Sequence, residues 1–384
     1  MPLNPAEHED STSERDPGPL VTPALFAEWR TPRFGASNPE RLTNPVWEWL
    51  VRSGLSAYAA SHHFGLESAE CREPGWSFER FGRTTTVLAD GRTIQIAGEH
   101  EDAYASDFYI YNDVVLRRAD GAIEIFGYPR EVFPPTDFHS ATQVGERIVI
   151  IGSLGYPAER IVGTTQVAEL DLDTLVITSK QTSGECPGWI HRHSAALAGQ
   201  GDAIVVSGGL VETGDAGAAV FRDNGDDWRL DLATWSWRRL TTRNWRQWQF
   251  VRADRRANHL WRVRSLSLFA GKRWAKEHRE SMEEMISREV DAVRAAYGAD
   301  PDLNLFAALF VPPIAHESLA APDDEPGVHR IGVEGIVVRY VESPMSIKLV
   351  AEGVLPERTT TALVNDLREK LSAIEHTPYE AREV

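Results

Sequence analysis

Four consecutive titratable residues, Glu99-His100-Glu101-Asp102, follow Gly98, and Asp107 stands five positions further on. Ordinary packing has no use for such a run. Two other stretches carry the same mixture: Asp137 and His139 after Phe133-Pro134-Pro135-Thr136, and Trp189, His191 and His193 after Cys186-Pro187-Gly188. Imidazoles and carboxylates at open positions are the donor set of a non-haem iron, manganese or zinc centre, with His100, His139 and His193 as candidate ligands. The same groups suit general acid–base work on a sugar-like or peptide-like ligand, or charged contacts with a protein. His191 and His193 point to one side if they share a strand. Plainer uses stand beside these: an imidazole can anchor a strand, and Asp137 can stabilise the turn after Pro135. No Gly-rich phosphate loop or Ser-centred nucleophile elbow is present, which argues against ATP-driven or acyl-transfer chemistry.

The three stretches recur because the chain around them recurs. Arg83-Thr84-Thr85-Thr86, His139-Ser140-Ala141-Thr142 and His193-Ser194-Ala195-Ala196 each open a β-rich run, a turn follows, and a second run ends at Gly98, Gly152 or Gly208. Those glycines are 54 and 56 positions apart. A fixed period near 50 with several short strands per unit marks a propeller blade. In such a blade four antiparallel strands run outward from an axis. The loop between strands two and three, the loop into the next blade and the start of the inner strand then share one face. Arg83, His139 and His193 occupy equivalent inner positions there, joined by Glu99, His100, Glu101, Asp102, Asp107, Asp137, Trp189 and His191 as candidate ligand-binding residues.

The opening His-Ser-Ala, the pair Gly208-Gly209 and the hairpin Trp228-Arg229-Leu230-Asp231-Leu232 with Trp235 and Trp237 resemble the Kelch repeat over about residues 76–242. The resemblance is closest in the third copy; Gly152-Ser153 replaces the glycine pair in the second, and the first departs furthest. It implies a β-propeller whose loop face binds a protein or peptide. Some plant proteins resembling Kelch propellers hold iron on that face through Glu, Asp and His, but their spaced motif has no clear copy here. Fold does not imply function. Three readings therefore stand open: a binding module, a metal-dependent enzyme on the same face, and a regulatory or immunity-type protein that neutralises a basic partner.

The fold class expected is mainly β with an α+β extension. Three blades cannot close a propeller, so either C-terminal strands complete another blade or helices cover an open one, and the second is favoured. Residues 1–40 read as a mobile acidic, Pro-rich tail and 41–75 as a helical cover capped by Asn44-Pro45. The blades occupy 76–242, a basic Trp-rich helical region 243–326, and a small α/β region 327–384. In the last two, the pattern predicts helices over 272–297 and 303–311, strands over 328–342 and 346–352, and a final helix over 359–375 capped by Thr359 or Thr360.

The 384 residues carry a net charge of −17, which disfavours nucleic acid. From Arg238 to Arg279 there are thirteen Lys or Arg and two acids, so this segment is +11 and the remainder −28. An interdomain seam between the two is the simplest use of that asymmetry. Two cysteines, Cys71 and Cys186, make no disulfide framework, and no apolar run is long enough to span a bilayer. A cytoplasmic protein is expected, with a divalent metal as the one cofactor suggested.

Overall fold

The computed structural model describes residues 20–66, 74–102, 105–214, 220–258, 279–297, 305, 308–320 and 327–384. The chain is mainly β, and it divides into two compact units between Thr242 and Arg243.

In the first unit, three antiparallel meanders follow one another. The first runs Thr84–Val87, Thr93–Ile96, Val114–Arg117 and Ile123–Gly127; the second Ser140–Val144, Arg147–Ile151, Val167–Asp171 and Ile177–Ser179; the third Ser194–Ala198, Ala203–Ser207, Trp228–Asp231 and Ser236–Arg239. Each meander pairs its strands in sequence order. Alternation makes the second strand two-faced. Ile148 and Ile150 pack with Ile94, Ile96 and Leu116 of the first meander, while Val149 and Ile151 pack with Ile204, Val206 and Trp228 of the third. A fully buried aliphatic side chain contributes about 1.5–3 kcal/mol, so each interface outweighs any single polar contact described below.

The other face of the first meander is covered by helices. α1 (Pro23–Trp29), α2 (Pro45–Ser53) and α3 (Ala57–His63) set Phe26, Trp47, Leu50 and Ala60 in one core with Val115, Ile125 and Tyr111. The Asn44 side chain accepts from the Val46 and Trp47 amides, as the Asn-Pro signal predicts. Two expectations need correction. The tail read as reaching residue 40 is ordered well before it, since Thr22 caps α1 and Glu40–Arg41 pairs with the outer strand of the first meander. The helical cover expected over 41–75 is broken: α2 stops at Gly54, whose φ of +69° ends the turn, and the chain restarts as α3 with Tyr58 exposed.

In the second unit, α4 (Arg279–Tyr297) is followed by a six-stranded antiparallel sheet and α5 (Glu357–Ile374). The sheet order is Glu317–Leu319, Val328–Val333, Ile336–Glu342, Ile347–Ala351, Arg246–Arg252, Tyr379–Glu383. α5 lays Leu363, Leu367, Leu371 and Ile374 on Phe250, Val338, Tyr340 and Leu349. The strands at 328–351 thus build their own sheet with 246–252 rather than a further copy of the meander. The expected strand 328–342 is a hairpin turned at Glu334-Gly335, both with positive φ. The helical reading of 243–326 fails at Arg246–Arg252, where Gln247, Trp248, Phe250 and Arg252 are buried in a strand. Pro356, not Thr359 or Thr360, caps the last helix, and the Thr359 hydroxyl donates to Glu334 instead. Of the helix expected over 303–311, Leu305 is helical but residues 308–310 form a turn, and residues 303, 304, 306 and 307 lie outside the described residues.

Four arginines of the basic segment have partners close at hand. Arg239 pairs with Glu185 and Asp226; Arg246 with Glu357 and Glu383; Arg252 with Glu375 and Asp254; Arg255 with Glu380. Each of these partners belongs to the arginine's own unit.

Candidate functional site

Two residues before each inner strand stand Gly82, Phe138 and Arg192, and all three adopt left-handed φ, +63°, +48° and +57°. That kink turns the backbone so that the Arg192 N–H donates to the Phe138 carbonyl and the Phe138 N–H to the Gly82 carbonyl, each at 2.8 Å. The next residues are Arg83, His139 and His193. His139 Nε2 lies 2.8 Å from Thr84 Oγ1, and His193 Nε2 lies 2.9 Å from Ser140 Oγ. The same link is thus made twice, from one meander to the one before it. Burial lowers the two imidazoles to about 3 and about 4, so both are neutral near pH 7. Arg83 departs from the pattern and turns to the Phe78 carbonyl and Glu79.

The glycines ending the second strands make this approach feasible. A Cβ on Gly152 would stand 2.3 Å from the Ile190 carbonyl oxygen, and one on Gly209 would stand 2.6 Å from that of His191. Loops after these glycines are laced to the loops between meanders. The Gly98 amide donates to the Thr136 carbonyl, the Leu154 amide to that of Asp137, and Trp189 Nε1 to that of Leu154.

Two residues before the inner-strand histidine stand Phe81, Asp137 and His191. Asp137 is 0% exposed. Its Oδ1 accepts from the Gly155 amide at 2.6 Å and from the Ser153 hydroxyl at 3.3 Å. The pKa of Glu99 is pushed up to about 7, first by burial, then by the charges of Asp137 and Glu101, against Arg192. Asp137 is also raised, by burial, against the Gly155 amide, the Ser153 hydroxyl, Arg160 and Arg192. Burial thus favours the neutral form of both acids, as expected of carboxyls in a site of low polarity.

Around the pair, the Arg192 guanidinium lies 3.8 Å from the centre of the Phe138 ring. Arg160 donates to the Leu154 and Gly155 carbonyls, faces Glu212 at 3.7 Å and covers the Phe221 ring. His191 packs edge-on against Phe221 at 5.1 Å. The Tyr156 hydroxyl accepts from the Ile110 amide, and burial raises its pKa. Carboxyls, guanidiniums and aromatic rings thus meet where the loops of all three meanders converge.

The run read as a loop, Glu99–Asp102, is the first strand of a hairpin with Ala105–Ile110. His100 is buried in it and Glu101 is exposed; Asp102 and Asp107 lie on its strands, with side chains outside those described. Trp189 is buried. His191 and His193 do not share a strand, because the left-handed turn at Arg192 separates Ile190–His191 from Ser194–Ala198. Among the described residues, no three His, Cys, Asp or Glu are arranged to hold a metal ion. Of the candidate ligands His100, His139 and His193, the last two place Nε2 on hydroxyls of the neighbouring inner strands. Cys186 is a free thiol, and Cys71 lies outside the described residues.

Sequence reasoning missed Arg160, Arg192, Tyr156, Phe138 and Phe221. A signal existed for two of them: aligning the repeats puts Phe138 and Arg192 opposite Gly82, the kink that aims a side chain at the pair. The same loops expose apolar side chains: Phe81, Phe108, Ile161 (62% exposed) and Val162. Phe108 packs edge-on to Tyr156 at 5.8 Å.

No protein-family model matches this chain, and no curated protein matches it. Among the described residues, no helix is long and apolar enough to cross a membrane.

Proposed function

We propose that residues 76–242 are three Kelch-like blades of an open propeller, capped at the first blade by α1–α3, and that their loop face binds a protein or peptide partner. The blade reading draws support from the meander order and from the repeated links Thr84–His139 and Ser140–His193. The binding reading is carried by one observation: Phe108, Ile161 and Val162 are exposed on loops that also hold the Glu99–Asp137 pair and Arg192. Clustered exposed apolar groups with charged neighbours mark interaction surfaces. A cytoplasmic setting belongs to the same reading, supported by only two cysteines in 384 residues.

The test is affinity capture from the native source with the unaltered chain and with a Phe108→Asp/Ile161→Glu variant. Both side chains are exposed, so the variant should keep its fold, checked by circular dichroism. The expected result is a defined partner held by the unaltered chain and lost by the variant. Equal capture by both removes the loop face from the reading.

A further inference from the structure

The strand Tyr379–Glu383 lies at the end of the six-stranded sheet, and among the described residues no strand pairs with its outer edge. Its register on Arg246–Arg252 fixes which backbone groups that edge presents. The Val384 amide donates to the Gln247 carbonyl and the Ala253 amide to that of Pro378. Residues 378, 380, 382 and 384 therefore turn their backbone polar groups toward Arg246–Arg252, and Tyr379, Ala381 and Glu383 turn theirs outward, since the two sets alternate along an antiparallel strand. The Tyr379 amide donates to the Ser372 hydroxyl at 3.0 Å. The amides and carbonyls of Ala381 and Glu383 are left on the edge.

Side chains alternate with the same period. Tyr379 and Ala381 pack in the core under α5, and Glu380 and Arg382, both exposed, share the opposite face of the sheet. An antiparallel strand laid on this edge about a two-fold axis at Ala381 sets Glu380 against the partner subunit's Arg382, and Arg382 against the partner subunit's Glu380. The two alanines then exchange both backbone bonds. The Glu–Arg pairs fall at positions without bonds between them, where facing side chains stand closest. Moving the axis by one residue sets Glu380 or Arg382 against its own copy, and like charges directly opposite are destabilising. Glu380 also meets Arg255 at 2.9 Å, with both side chains more than half exposed, and a carboxylate has lone pairs for a second donor. Edges that stay single are commonly blunted by lysines, a proline or a bulge. Opposite charges two residues apart instead make this edge complementary to itself.

We propose that the second unit self-associates edge to edge, with Tyr379–Glu383 of two copies paired antiparallel about Ala381 and two six-stranded sheets joined into one. An isologous contact of this kind closes on itself and stops at a dimer. One strand pair is a small interface, so monomer and dimer should exchange, with a dissociation constant on the order of 10 µM. This surface belongs to the second unit and does not depend on the loop face of the first.

The test is sedimentation equilibrium of the full chain in low salt, from about 1 to about 200 µM, which brackets that constant. The unaltered chain is expected to pass from monomer to dimer. Ala381→Pro removes an outward N–H that the strand's own sheet does not use, so the fold should be kept and the dimer weakened about tenfold or more. Glu380→Arg sets like charges opposite each other twice and should weaken it similarly. Glu380→Arg/Arg382→Glu restores opposite charges and should restore the dimer. Circular dichroism checks the fold of each variant. A chain that stays monomeric throughout overturns the proposal. So does a dimer indifferent to Ala381→Pro, which would use another surface, and so does assembly that runs past the dimer. A double reversal that recovers nothing of what Glu380→Arg loses overturns it too. Should Ala381→Pro unfold the sheet, the charge variants, both at exposed positions, decide alone.

Discussion

Replacing Glu99 by glutamine should stabilise the first unit at pH 8 and leave it nearly unchanged at pH 4.5. The amide keeps the shape of the carboxyl and needs no proton to stay neutral. In the folded chain Glu99 titrates at about 7, against 4.5 ordinarily. Below 4.5 the group is protonated in both states and costs nothing. Between 4.5 and 7 the unfolded chain releases the proton while the folded chain retains it, so stability falls as the pH rises, and the loss is complete above 7. The separation corresponds to about 3 kcal/mol at 1.36 kcal/mol for each tenfold. Solvent reaches part of this side chain, and screening reduces the figure to roughly 1–2 kcal/mol. Because the chain has two units, the readout should be local: hydrogen exchange of strands Thr84–Val87 and Arg147–Ile151 in increasing urea, unaltered chain against variant at each pH. A gain confined to high pH supports the raised titration of Glu99. Equal destabilisation at both pH values would refute it, because Glu99 would then be ionised and productively paired in the fold.

Two further outcomes test the scaffold. His193→Ala removes a buried ring and strands the Ser140 hydroxyl; with burial holding His193 near 4, the stability it supplies is present above about 6.5 and lost as pH falls toward 4, so the variant should narrow the difference between its pH 7 and pH 5 melting temperatures. An unchanged difference would show that His193 is not the neutral link described. Gly152→Ala should cost several kcal/mol, since φ is +73° and the new methyl meets the Ile190 carbonyl at 2.3 Å. Gly121→Ala, with φ +85° and nothing within 4 Å, should cost only about 1 kcal/mol; comparable losses in urea denaturation would contradict the packing of the second meander on the third.

Much of this architecture was legible because it depends on local chemistry. The glycine period located the meanders, Asn44-Pro45 located the start of α2, and the Leu363–Ile374 stripe located α5. Glu99, Asp137 and His191 stood out because titratable residues clustered where loops were expected. Two errors share one cause, dependence on long-range contacts. Residues 246–252 show no strand pattern that survives their arginines, because Arg252 is buried only by virtue of Glu375, more than a hundred residues away. His191 and His193 looked like a metal pair because their spacing suits a strand, and the backbone turn at Arg192 is held by the carbonyl of Phe138 in the preceding meander.

The sequence by itself determined the repeat, the chemical types in its loops and the caps of its helices, since these follow from periodicity and near-neighbour sterics. Tertiary structure alone decided which of those loop residues meet. It buried His139 and His193 as neutral strand links and brought Glu99, Asp137 and Arg192 from three different meanders to one point. Charge state depends on distances and burial that no spacing along the chain encodes.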